Sequence, residues 1–137
     1  MPDTPDGFGN IAGVYDAASW ASKEGNAKVI KANGTNKASG GYATTSYLVP
    51  AGKTLYLTHA SAMIYAYNAA DRDLNQICAS EIYTSTVEWS WAGGNGGFFV
   101  AFPTPFTVPA GQTVTIYIYN FSNHNCNINM IACGYLI

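Results

Sequence analysis

From Tyr42 onward the chain alternates apolar and polar residues with the two-residue period of β-strands, and no helical period of meaningful length interrupts it. Thr113-Val114-Thr115-Ile116-Tyr117-Ile118-Tyr119 is the cleanest case: Val114, Ile116 and Ile118 face a core, while Thr115, Tyr117 and Tyr119 face outward. Thr54 to Tyr65 alternates at its start and then becomes small on both faces. Gln76 to Trp91 reads as one β-rich stretch of branched and aromatic residues, followed by a flexible loop at Gly93-Gly94-Asn95-Gly96-Gly97. Phe98 to Phe102 reads as a short apolar strand that Pro103 and Pro105 delimit. Ser122 to Asn125 makes a turn, and Ile128 to Ile137 a last strand with Gly134 as a bulge or close-approach site.

Two corners punctuate this pattern with the same words. Tyr47-Leu48-Val49-Pro50-Ala51-Gly52-Lys53-Thr54-Leu55 returns as Phe106-Thr107-Val108-Pro109-Ala110-Gly111-Gln112-Thr113-Val114. Proline fixes φ and glycine accepts the backbone angles that reverse a chain, so both read as equivalent corners of one β-sandwich. Seven or eight antiparallel strands with long connections predict an all-β jelly roll over residues 42–137. Residues 1–41 are richer in Gly, Ala, Asn, Ser and Lys, and read as an extended N-terminal arm. Within it, Asp16 to Lys23 is a candidate helical turn and Ala27 to Lys31 a short strand; Phe8, Tyr15 and Trp20 are the side chains expected to anchor it.

Composition narrows the function classes. Of 137 residues, 48% are hydrophobic and only 10% charged, against roughly 25% charged in typical domains. Asn, Ser, Thr and Gly supply the polarity, and a net charge of −2 offers no field for steering nucleic acid. No apolar run approaches the length of a membrane span, and the N-terminus has no basic and apolar regions of a signal peptide. The run from Trp89 to Ile137 contains no Asp, Glu, Lys or Arg. Free monomers keep charge on outward strands for solubility, so this run points to a surface covered in an assembly, with a neutral Asn- and Thr-rich surface as the plainer alternative. Cys78, Cys126 and Cys133 are odd in number and without metal-type spacing, so buried thiols are expected unless the fold pairs two of them.

Little chemistry stands out. His124, Cys126 and Cys133 are too loosely spaced for a structural zinc site, and Asp71-Arg72-Asp73 lacks the glycine punctuation of a calcium loop. Glu81 and Glu88, seven residues apart on one regular strand, would point to opposite faces and make no dyad. No nucleophile elbow, zinc-protease motif or phosphate loop is present, so neither an enzyme nor a cofactor is expected. Trp89 with Trp91, and Tyr117 with Tyr119, each share a strand face. Such pairs serve a glycan site, a protein interface or an inter-sheet stack alike.

The two Val-Pro-Ala-Gly corners and the ending Ile131-Ala132-Cys133-Gly134-Tyr135-Leu136-Ile137 resemble jelly-roll virion proteins of tailed bacteriophages, of the capsid-decorating or head-fibre kind. The closing Gly-Tyr-Leu-Ile also resembles the last strand of C1q/TNF-like trimers, which puts Tyr135 and Ile137 near a threefold axis. The resemblance implies a homotrimer, made in a host cytoplasm, that sits on a virion surface, binds the major capsid protein and stabilises the capsid without catalysis. The alternative is a carbohydrate-binding module that meets glycans through Trp89/Trp91 or Tyr117/Tyr119. A cupin-like metal enzyme comes third, since the clustered histidines of that class are missing.

Overall fold

In the computed structural model, which describes residues 26–137, eight strands follow one another: β1 (Ala27–Lys37), β2 (Tyr42–Leu48), β3 (Leu55–Ala66), β4 (Ile77–Tyr83), β5 (Val87–Gly94), β6 (Phe98–Val108), β7 (Thr113–Asn120) and β8 (Cys126–Leu136). A single 3-10 turn, Ala69–Asp71, lies between β3 and β4. One sheet has the order β1-β8-β3-β6 and the other β2-β7-β4-β5, with antiparallel neighbours throughout. Every connection except the β4–β5 hairpin crosses from one sheet to the other. That is the winding of a jelly roll, and the chain is an all-β sandwich as its period-two pattern predicts.

The core fills the space between the sheets. Leu55, Leu57 and Ile64 of β3 and Ile128 and Met130 of β8 meet Ile82 of β4 and Val114, Ile116 and Ile118 of β7, all fully buried. Each such side chain contributes about 1.5–3 kcal/mol relative to its exposed state.

The two Val-Pro-Ala-Gly corners lie side by side at one end of the sandwich. In each, the proline carbonyl accepts from the residue three on, Lys53 or Gln112, at 3.2 Å. Gly52 and Gly111 sit at φ of 76° and 82°, where a type II turn demands glycine. The corners are also bonded to each other: the Val49 N–H donates to the Gln112 carbonyl and the Gly111 N–H to the Val49 carbonyl, both at 2.9 Å.

Four expectations change. The short strand expected at Ala27 to Lys31 is present but runs on to Lys37, as an edge strand of the first sheet paired with β8 from Ala27 opposite Tyr135 to Lys37 opposite Cys126. After Ile30 its inward row continues with Ala32 and Gly34, too small to announce the second half of the strand. The stretch from Gln76 to Trp91 is two strands, reversed where the Thr84 N–H donates to the Thr86 carbonyl. Gly93 and Gly94 belong to β5, so the glycine-rich loop shrinks to a tight turn. Finally, β6 runs through Pro103 and Pro105. It is an edge strand whose pairing with β3 breaks register between Leu57 and His59, and a proline there removes no ladder hydrogen bond. Gly134 sits opposite the same irregularity, and a Cβ on it would meet the Tyr56 carbonyl.

Candidate binding site

Outward rows of the two sheets are built differently. On the second sheet, Tyr117 and Tyr119 of β7 point away from the core, and the row continues into Phe121 just past the strand end. The three rings stack in file: Tyr117 on Tyr119 at 5.9 Å and 9°, Tyr119 on Phe121 at 5.6 Å and 4°. Tyr42, opposite Tyr119 on β2, leans on both tyrosines at 6.1 and 5.9 Å. On the other flank the cross-strand pairs Ala79–Ala92 and Glu81–Ser90 make a low floor. The Tyr119 hydroxyl donates to Glu81 Oε1 at 3.1 Å. Burial first, and then this carboxylate, push the Tyr119 phenol up to about 12, so it stays a neutral donor throughout the physiological range.

Phe121 is 53% exposed, yet its backbone is fixed by buried neighbours. Its N–H donates to the Ile77 carbonyl at 2.8 Å, and the Ile77 N–H donates to Ser122 Oγ at 2.8 Å. The fully buried Asn120 side chain donates to the Lys37 and His124 carbonyls at 2.8 and 2.9 Å and accepts from the Ser122 N–H at 2.9 Å. A large apolar ring is thus held out in solvent by a hydrogen-bonded frame. Three shallow hollows, of about 300, 420 and 380 Å³, lie along β4. Phe121 borders the first and third, Ala92 the first and second, and Asn75 and Ile77 the second and third.

The first sheet presents large apolar side chains among neutral polar ones such as Asn127 and Asn129. Val29, Met63, Tyr65 and Phe99 are exposed across β1, β3 and β6, with the half-buried Ile131 of β8 among them. His59 tilts against Phe99 at 5.6 Å. Among the outward residues of these four strands, Lys31 is the one formally charged side chain. Tyr135 stacks on Tyr56 at 5.1 Å on this face, and Ile137 is held by two backbone hydrogen bonds to Thr54.

Trp89 and Trp91 share a face, as the spacing predicts, but it is the inner one. They lie opposite Ile82 and Ser80 and pack across the gap on Phe102 at 4.8 Å and Phe98 at 5.5 Å. They close the sandwich between its two edge strands, and Trp91 Nε1 and Ser80 Oγ are buried without a hydrogen-bond partner. Phe8, Tyr15 and Trp20 lie outside the described residues.

Glu81 and Glu88 stand on different strands of a hairpin; Glu88 accepts from Thr84 and Thr86 hydroxyls at 2.9 and 3.0 Å. Cys78, Cys126 and Cys133 are free thiols among the described residues. Burial pushes Cys78 up to about 11 and also raises the other two, so none is poised as a nucleophile at neutral pH. Among the described residues no three His, Cys, Asp or Glu side chains converge as a ligand set. Sequence reasoning missed Phe121 and Tyr42 as members of the aromatic face. The signal for Phe121 was present, since 117, 119 and 121 continue one period of two. Compared with protein-family models and with curated proteins, the chain matches none.

Proposed function

We propose that this chain is a non-enzymatic structural protein of a virion, a jelly roll that assembles as a homotrimer and cements the surface of a phage capsid. The observation that carries the assembly part is the outer face of the first sheet, where Val29, Met63, Tyr65 and Phe99 lie exposed with a single lysine at the edge. Large apolar side chains exposed among neutral Asn and Ser, with one charge on the edge strand, fit a surface that is covered in use. The capsid part rests on the resemblance carried by the paired corners and the closing Gly134-Tyr135-Leu136-Ile137. Many copies on a lattice would make weak individual contacts sufficient.

Light scattering on the full chain tests the assembly: a mass of three chains is expected, and a monomer would overturn the trimer. Co-sedimentation with purified phage capsids, full chain beside a version starting at Asn26, tests the cementing role. Capsids that gain no bound chain and no heat resistance would sink it.

A further inference from the structure

We infer that the outer face of the second sheet is a binding groove for a neutral oligosaccharide, with Phe121 and Tyr119 as its wall and Glu81 as its polar anchor. This site is on the opposite side of the sandwich from the assembly face and does not depend on it.

The occupant follows from the chemistry of the groove. A pyranose ring has an apolar face of C–H bonds and a rim of hydroxyls, so it needs a flat ring beside neutral donors and acceptors. Phe121 supplies such a ring, half exposed and locked by the Asn120–Ser122 frame. Ala79 and Ala92 leave the floor low enough for a ring to approach Tyr119 and Phe121 from the side. Glu81 has one oxygen engaged by the Tyr119 hydroxyl, and a carboxylate can still accept from neighbouring sugar hydroxyls. Ser90 borders the same hollow, while Asn75, Asn95 and Asn123 border the two that continue it.

From Glu81 to Ile77 the strand rises about 13 Å at roughly 3.3 Å per residue, and Asn75 lies beyond its end, which suits two or three linked sugars rather than one. No lysine or arginine borders these hollows. An acidic glycan or a phosphate would meet Glu81 without a counter-charge.

Amide NMR titration of the full chain decides the matter, with hexasaccharides of β-1,4-glucose, β-1,3-glucose, β-1,4-mannose and β-1,4-N-acetylglucosamine as probes. Tetragalacturonic acid serves as the charged control. Saturable shifts at Ala79, Ala92 and Phe121 are expected with at least one neutral probe and none with the acid. Phe121→Ala and Glu81→Gln should each weaken binding about tenfold, the size of one lost stacking or polar contact. Leu48→Ala, exposed on the same sheet but outside the three hollows, should leave it within about twofold. Absence of saturable shifts with all four neutral probes overturns the assignment. So does preference for the acid, or unchanged affinity in a Phe121→Ala protein whose strand amides keep their positions. Light scattering on the same samples reads assembly separately, so failure of either idea is distinguishable.

Discussion

Ile116 and Ile118 show the simplest relation between a residue and the fold: alternate positions on β7, both fully buried between the sheets. Ile118→Ala should lower stability by about 2–5 kcal/mol in urea unfolding. Ser80→Ala goes the other way. The Ser80 hydroxyl is buried without a partner beneath Trp91, so its removal should leave stability unchanged or raise it by about 1 kcal/mol in the same assay. Tyr119 gives a test in pH. Its folded pKa lies above the ordinary value of 10.0, so folding favours the neutral phenol. That contribution is complete below pH 10 and is lost as pH rises from there through about 12. Ultraviolet titration should show one tyrosine ionising late, and Glu81→Gln should bring it earlier. These residues were unequally legible in the sequence. Tyr117 and Tyr119 are outward by simple alternation. Alternation alone left the wrong outcome open for Trp89 and Trp91, because it fixes that two residues share a face but not which face meets the core.

Among the elements, those with large alternating side chains announce themselves and those with small ones do not. Strand β7 is plain in the sequence, whereas only the start of β1 is, because Ala32 and Gly34 on its inner row hide the rest. Strand β6 hides behind two prolines that are harmless only because an edge and a register break free their positions, and both are facts about the neighbour β3. The reversal at Thr84 to Thr86 contains neither glycine nor proline, so the β4–β5 hairpin looks continuous. The two corners were legible because their glycines are needed for backbone reasons. Gly52→Ala and Gly111→Ala should each cost about 1–2 kcal/mol, since alanine resists the positive φ both adopt. The double variant should lose more than the sum, because the corners are hydrogen-bonded to each other. A double-mutant cycle in thermal unfolding would measure that coupling.

For the molecule as a whole, the winding redistributes what the sequence keeps apart. The charge-free run from Trp89 onward does not form one half of the sandwich. Strands β8 and β6 alternate with β1 and β3, and β7 and β5 with β2 and β4. Neutral strands therefore thin out the charge on both sheets, and the first is left with Lys31 alone on its outward rows. Phe99→Asp, at a residue 65% exposed, should fold normally yet dissociate the proposed trimer, with the mass by light scattering falling to one chain.

The same winding places β8, the last strand, between β1 and β3. During synthesis β1 emerges early and must wait for its one strand neighbour among the described residues until residue 126 and beyond have been made. The sandwich cannot be folded in instalments: the first of its described strands stays unpaired in its sheet until nearly the whole described chain is available. Slow, late and cooperative folding follows, in the millisecond-to-second range of sandwiches built from distant pairings, and cutting the chain after Asn125 should remove both sheets' order rather than one strand's.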